Sequence, residues 1–308
     1  MTAKATREAL GETLVTLVEG GVDIAVVEAD LSKSTTTAKF ADAYPERFFN
    51  VGIAEQDMIG VAAGLAVGGQ VAFTGSFAVF ATGRTYDQVR NTVCYSGLDV
   101  KLTPTHAGIT VGPDGGSHQM IEDIALMRVL PGMRVLVPAD YRSAKAAIRA
   151  AASTPGPFYI RLGRSALPEI YSEGHEWEVG RAHVLREGSD VTIAACGVEV
   201  AQALLAAEAL ANEGISAEVI DVATIKPIDV ETLAASAAKT GRVVTAEEHS
   251  VLGGMGSAVS EVLSEVCPVP TRRVGVADTF GTSGNPDELM VYFGLTADDI
   301  AAAAKELL

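Results

Sequence analysis

A two-domain α/β fold, each domain doubly wound about a mostly parallel sheet, follows from three features of the sequence. Short β-branched runs alternate with helical patterns along the whole chain, the signature of βαβ units. Hydrophobic residues make up 48% of the chain and aromatics only 6%, with Ala, Val and Gly abundant, which suits helices packed closely on a buried sheet. At 308 residues there is enough chain for two domains, each burying its own core.

Taken in order, Met1 to Leu10 reads as the capped start of an amphipathic helix running over about 6–18. Strands are predicted at 24–28, 70–74, 100–104, 133–137 and 158–162, where runs such as Ile-Ala-Val-Val-Glu leave no polar face. Helices are predicted near 55–68, 81–96, 118–130 and 140–152. The rhythm breaks from about 164 to 188, where Pro168, Gly174, Gly180 and Gly188 stand among many charges beside the single Trp177. That break divides the chain into a first domain over 1–165, a linker over 166–188 and a smaller second domain over 189–308. In the second domain the pattern resumes with a strand at 191–196, a helix to about 213, strands at 217–222 and 242–246, a helix from Met255 and a strand at 271–276. An Ala-rich helix ends the chain as a surface cap. No internal repeat or low-complexity segment interrupts it.

A formal net charge of -16 argues against nucleic-acid and anionic-membrane partners, and it requires a local basic pocket for any anionic substrate. No apolar run is long enough to span a bilayer, and the N-terminus has no apolar core of the secretory kind, so a soluble cytoplasmic protein is expected. Cys94, Cys196 and Cys267 are too few and too far apart for a disulfide framework or a zinc ribbon.

Chemistry-bearing residues gather in a few places. Gly52-Ile-Ala-Glu55-Gln-Asp-Met58 puts a carboxylate at the opening of an apolar, small-residue helix, and Phe77 and Phe80 follow the next strand. On the residues alone, Glu55 also suits the acidic first turn of a helix, and the two Phe suit core packing at one-turn spacing. A Gly-rich loop, Thr105-His106 to Asp114-Gly-Gly-Ser-His118-Gln119, lies between a strand and a helix, where parallel-sheet folds place ligands. Its two histidines and carboxylate match no familiar metal-ligand spacing, so an organic substrate ranks above a metal and no metal ligand is assigned. Glu247-Glu248 and the Gly253, Gly254 and Gly256 turn lack the last glycine of a dinucleotide fingerprint and carry no assigned chemistry.

The set Glu55, Phe77 and Phe80 resembles the pyrimidine-binding domain of thiamine diphosphate enzymes of the transketolase family. Thr-His followed by Gly-x-Asp-Gly-x-x-His resembles the substrate loop of sugar-phosphate transketolases, and the region around Glu247 resembles the family's C-terminal domain. The resemblance implies a thiamine diphosphate pyrimidine-binding domain followed by a smaller transketolase C-terminal-type domain. By the same resemblance, Glu55 protonates the pyrimidine ring nitrogen, Phe77 and Phe80 flank that ring, and Asp30 lies near the cofactor. His106 and His118 contact the donor carbonyl and hydroxyl and move protons, Asp114 accepts from a ketose hydroxyl, and Arg7, Ser34 and Arg164 hold a sugar phosphate. One position departs from the pattern: Gly83 stands where the family has a third aromatic, and Tyr86 is the nearest replacement.

The diphosphate-binding domain of the family, with its Gly-Asp-Gly motif, has no counterpart in this chain. The resemblance therefore implies the C-terminal subunit of a split transketolase, transferring a two-carbon ketol unit from a ketose phosphate to an aldose phosphate. It implies a separate N-terminal subunit that holds the diphosphate and Mg2+, and an α2β2 assembly. The competing readings are a 1-deoxyxylulose-5-phosphate synthase-like subunit, a 2-oxo-acid dehydrogenase beta-like subunit, a noncatalytic scaffold partner and an ordinary nucleotide-binding α/β protein.

Overall fold

A computed structural model describes residues 3–308. Its strands are β1 (Lys4–Ala5), β2 (Ile24–Glu28), β3 (Phe48–Asn50), β4 (Val71–Gly75), β5 (Val100–Leu102), β6 (Arg134–Leu136), β7 (Phe158–Ile160) and β8 (Ala166–Leu167). They continue with β9 (His183–Arg186), β10 (Val191–Ala195), β11 (Ala217–Asp221), β12 (Thr224–Lys226), β13 (Val243–Ser250) and β14 (Thr271–Val276). A seven-stranded sheet runs in the order β12-β6-β7-β5-β4-β2-β3, and a five-stranded sheet in the order β14-β13-β10-β11-β9. In these two sheets, among the described residues, only the edge strands β12 and β9 run antiparallel to their neighbours. The mostly parallel α/β architecture is thus as the sequence predicts.

The strands read as uninterrupted apolar runs because helices cover both faces; every residue of β2, β10 and β11 is buried. One apolar cluster crosses between the domains, joining Met127, Leu130 and Val135 of the first to Ala194, Val222 and Met255 of the second. No helix among the described residues is long and apolar enough to cross a membrane.

Several elements differ from the sequence reading. The first helix begins only at Glu8, because Lys4 and Ala5 pair antiparallel with β8, at the far end of the first domain. Instead of one helix over 81–96 there are two π-helical segments, Phe80–Arg84 and Gln88–Cys94. Thr82 and Thr85 donate their hydroxyls back to the carbonyls of Ala78 and Ala81 at 2.7 and 2.6 Å, competing with the regular ladder at Gly83. The helix expected at 118–130 shrinks to Asp123–Arg128, because the Gln119 side chain donates to the carbonyls of Ile109, Gly112 and Thr282 and holds the preceding loop extended.

The segment read as a linker is built into the fold, through a separate two-stranded sheet and the edge of the five-stranded one. β8 pairs with β1, β9 pairs with β11, and buried Trp177 donates to the Thr224 hydroxyl at 3.3 Å. Asp140 caps the Tyr141–Ser153 helix by accepting from the Ser143 amide at 2.7 Å, and its other oxygen accepts from the amides of Ile170 and Tyr171. The return of β12 from the second half of the chain to the edge of the first sheet has no counterpart in the sequence reading.

Candidate active site

The candidate residues lie beyond the carboxyl ends of parallel strands, the place where open α/β sheets bind ligands. Asp30 and Ser34 follow β2, Glu55 follows β3, Phe77 and Phe80 follow β4, His106 follows β5 and Arg164 follows β7.

Glu55 is the first residue of the Glu55–Val67 helix, and its side chain is only 5% exposed. It borders an open cleft of about 510 Å³ lined by Ile53, Ala54, Gln56, Asp57 and Arg84. Its Oε1 accepts from Arg84 Nη1 at 3.0 Å. Phe77 and Phe80 stack with ring centroids 6.1 Å apart, and Phe77 also stacks on the His106 imidazole at 3.8 Å. The His118 ring meets Phe80 edge-on at 5.4 Å. Four members of the predicted set therefore form one aromatic wall.

Tyr86 does not replace the missing third aromatic, since it packs into the main apolar cluster. A side chain added at Gly83 would meet open space, and Arg84 places its guanidinium 4.1 Å over the Phe80 ring instead. Arg84 was missed in the sequence because a charged residue beside a glycine reads as ordinary surface.

His106 takes a left-handed backbone conformation, φ 60°, and its Nδ1 lies 2.7 Å from the Thr105 hydroxyl. Burial, then the charges of Arg7, Arg164 and His118, push its imidazole down to about 3. His106 is thereby held toward its neutral form. The His118 Nδ1 lies 3.0 Å from Ser117 Oγ.

Arg7 and Arg164 converge on the same region. Arg7 Nη1 donates to the Ser34 carbonyl at 2.7 Å, while its buried Nε has no partner among the described residues. Burial and, next, the positive charge of Arg164 lower the Arg7 guanidinium from its ordinary value. Arg164 Nη1 donates to the Val111 carbonyl at 2.8 Å and pairs with Asp114 at 3.1 Å. Two guanidiniums close enough to repel one another favour an anion between them. Asp30 is exposed, at φ 63°, and its amide donates to Asn50 Oδ1 at 3.2 Å.

Two supports escaped the sequence reading. Buried Glu28 accepts from Thr35 and Thr37 at 2.5 and 3.1 Å and from the Leu31 amide at 2.8 Å, which fixes the short Ser32–Thr35 helix carrying Ser34. An acid at the end of an apolar strand was the available signal. The second is the pair Glu247-Glu248, whose members do different work. Glu247 accepts from the Met255 and Gly256 amides at a helix start, whereas Glu248 reaches across the domains to the Thr110 amide at 2.6 Å. Behind it, Arg161 donates to Asp123 at 2.8 Å and to the Glu248 carbonyl at 2.9 Å, and Tyr159 donates to Asp123 at 2.6 Å. The second domain thus holds the Gly-rich loop from below.

Gly108 shows how tight that seat is. Its φ is +82°, and an added Cβ would overlap the Glu248 carboxyl group. Gly108→Ala is expected to lose the loop's position, with backbone strain and overpacking each costing about 1–3 kcal/mol. Urea unfolding measures the loss.

Fold and site together define an α/β group-transfer subunit of the transketolase family, to which the chain belongs. A family model described as transketolase, pyrimidine binding domain, matches residues 2–169, and one described as transketolase, C-terminal domain, matches residues 180–300. Within that family it is a transketolase-type subunit of the split kind. It is 50% identical to the 6-deoxy-6-sulfo-D-fructose transketolase subunit of Clostridium sp. (strain MSTE9), over 92% of this chain and 88% of that protein. It is 38% identical to an apulose-4-phosphate transketolase subunit of Phocaeicola vulgatus, over 99% of this chain and 97% of that protein. A solved structure described as a split gene transketolase, inactive beta4 tetramer, superposes with a TM-score of 0.92 at 54% identity, covering 100% of this chain and 99% of that one.

Proposed function

We propose that this chain is the pyrimidine-side subunit of a thiamine diphosphate-dependent transketolase that transfers a two-carbon ketol unit between anionic sugars. The observation that carries the reading is the meeting of buried Glu55, the Phe77 and Phe80 wall and the Arg7 and Arg164 pair at one end of one sheet. A carboxyl group beside an aromatic face fits a flat heteroaromatic ring that offers one nitrogen for a hydrogen bond. Thiamine diphosphate, when bound, supplies the thiazolium that makes cleavage of a ketose carbon–carbon bond accessible.

Each residue then has a task. Glu55 holds a proton at the pyrimidine ring nitrogen, and Phe77 and Phe80 orient the ring. His118 takes and returns the proton of the donor hydroxyl, while neutral His106 donates or accepts a hydrogen bond at the donor oxygens. The Asp114 oxygen not engaged by Arg164 accepts from a ketose hydroxyl. Arg7, Arg164 and the Ser34 hydroxyl hold the terminal anion, and Asp30 borders the cofactor. Among the described residues there is no cluster of three or more metal-ligating side chains. By the resemblance to the family, Mg2+ and the diphosphate are assigned to a separate diphosphate-binding subunit, with self-association of these chains giving α2β2.

The relatives named for a sulfonated fructose and for apulose 4-phosphate both carry an anion at the end of the sugar, and the same arginine pair suits either group. A phosphorylated ketose is our reading for this chain. In the reconstituted complex, Arg164→Ala is expected to raise KM for a ketose phosphate by about 10- to 100-fold with little change for the unphosphorylated sugar, as loss of a charge-assisted hydrogen bond implies. Equal effects on both sugars would remove Arg164 from anion recognition.

A further inference from the structure

The place assigned to the pyrimidine ring is taken in this structure by a side chain of the protein itself. Arg84 lays its guanidinium 4.1 Å over the Phe80 ring and points Nη1 at Glu55 Oε1, 3.0 Å away. Its backbone carbonyl accepts from Gln56 Nε2 at 3.0 Å, which ties the segment to the first turn of the Glu55–Val67 helix. A guanidinium and a protonated aminopyrimidine are alike in shape and charge: both are flat, delocalised cations with N–H donors along one edge. Both seek a carboxylate at that edge and an aromatic face beneath, so they compete for Glu55 and Phe80.

The two partners of the ion pair differ in freedom. Glu55 is 5% exposed and fixed by its helix, whereas the Arg84 side chain is 51% exposed. Beside it, Gly83 carries no side chain, and a Cβ added there would meet nothing within 4 Å. The mobile partner is therefore the arginine.

We propose that Arg84 is a gate on the cofactor site: in the free subunit it occupies the pyrimidine seat and holds Glu55, and it must swing outward before the cofactor binds. The proposal rests on the thiamine diphosphate reading of this cleft. Such self-occupancy lowers apparent affinity by the fraction of molecules with the seat open. It also keeps Glu55 paired until a competing ring arrives, which suits a subunit made apart from its diphosphate site.

The test is calorimetric titration of thiamine diphosphate with Mg2+ into the complex reconstituted from this chain and a diphosphate-binding transketolase subunit. Arg84→Ala and Arg84→Lys are compared with the wild type, with circular dichroism confirming that each folds. The gate predicts that Arg84→Ala binds about tenfold more tightly and associates faster. Arg84→Lys, which keeps the charge without the flat face, falls between. Unchanged or weaker binding by Arg84→Ala overturns the gate alone and makes Arg84 a wall of the pocket. No binding by any form, wild type included, overturns the cofactor reading and the gate with it.

Discussion

Glu55→Gln is expected to lower turnover of the reconstituted enzyme by about 10²- to 10⁴-fold, the range for removing a positioned general acid. The amide is nearly the same size as the acid, so packing around Met58 and Ile59 stays intact and assembly is unaffected. It cannot hand over a proton, and that is the task assigned to Glu55. The residue is well placed for it, since 5% exposure leaves its oxygens only the cleft and Arg84 to face. Steady-state kinetics beside a sedimentation run separates lost chemistry from lost assembly. Turnover within about threefold of wild type would mean that another group protonates the ring.

Arg161→Met is expected to produce the largest loss of stability. Arg161 is buried between the domains, and Asp123 and Glu248 both face it. Burial pushes the Asp123 carboxyl up, but Arg161, then His249 and the hydrogen bonds from Arg161 and Tyr159, outweigh it and hold the group below its usual value. Removing the cation leaves two buried carboxyl groups uncompensated, at a cost of about 3–5 kcal/mol. For a chain of this size that lowers the melting temperature by roughly 10 °C. The Gly-rich loop should loosen as well, because Glu248 also holds the Thr110 amide. A melting temperature within about 2 °C of wild type would show that the network does not join the domains.

Sheet strands were legible because burial on both faces writes them as apolar runs: Ile24–Glu28 and Val191–Ala195 appear in the structure where the residues place them, to within a residue. The edge strand Thr224–Lys226 was not legible. It is short, stands before Pro227 and pairs with β6, far earlier in the chain, so nothing local marks it. The π-helical segments were hidden for a related reason: a turn of helix spaced for either ladder looks the same until Thr82 and Thr85 choose their carbonyls.

The motifs singled out Glu55, Phe77, His106 and Arg164, and the structure sets each beyond the end of a parallel strand. Their state was less accessible. That His106 is held toward its neutral form depends first on its burial and then on Arg7 and Arg164 approaching from distant segments, and that Glu55 is paired depends on Arg84, 29 residues away. Glu248 carries no assigned chemistry in the sequence, and only the packing of the second domain under the Gly-rich loop shows where its side chain goes.

The decisive assay is two-carbon transfer from a ketose phosphate to an aldose phosphate, with thiamine diphosphate and Mg2+ present, by this chain alone and with a diphosphate-binding transketolase subunit added. A pyrimidine-side subunit gives no turnover alone, gives turnover with the partner, and loses it on Glu55→Gln. Turnover by the chain without a partner, or an inert complex that nonetheless assembles, would contradict that assignment.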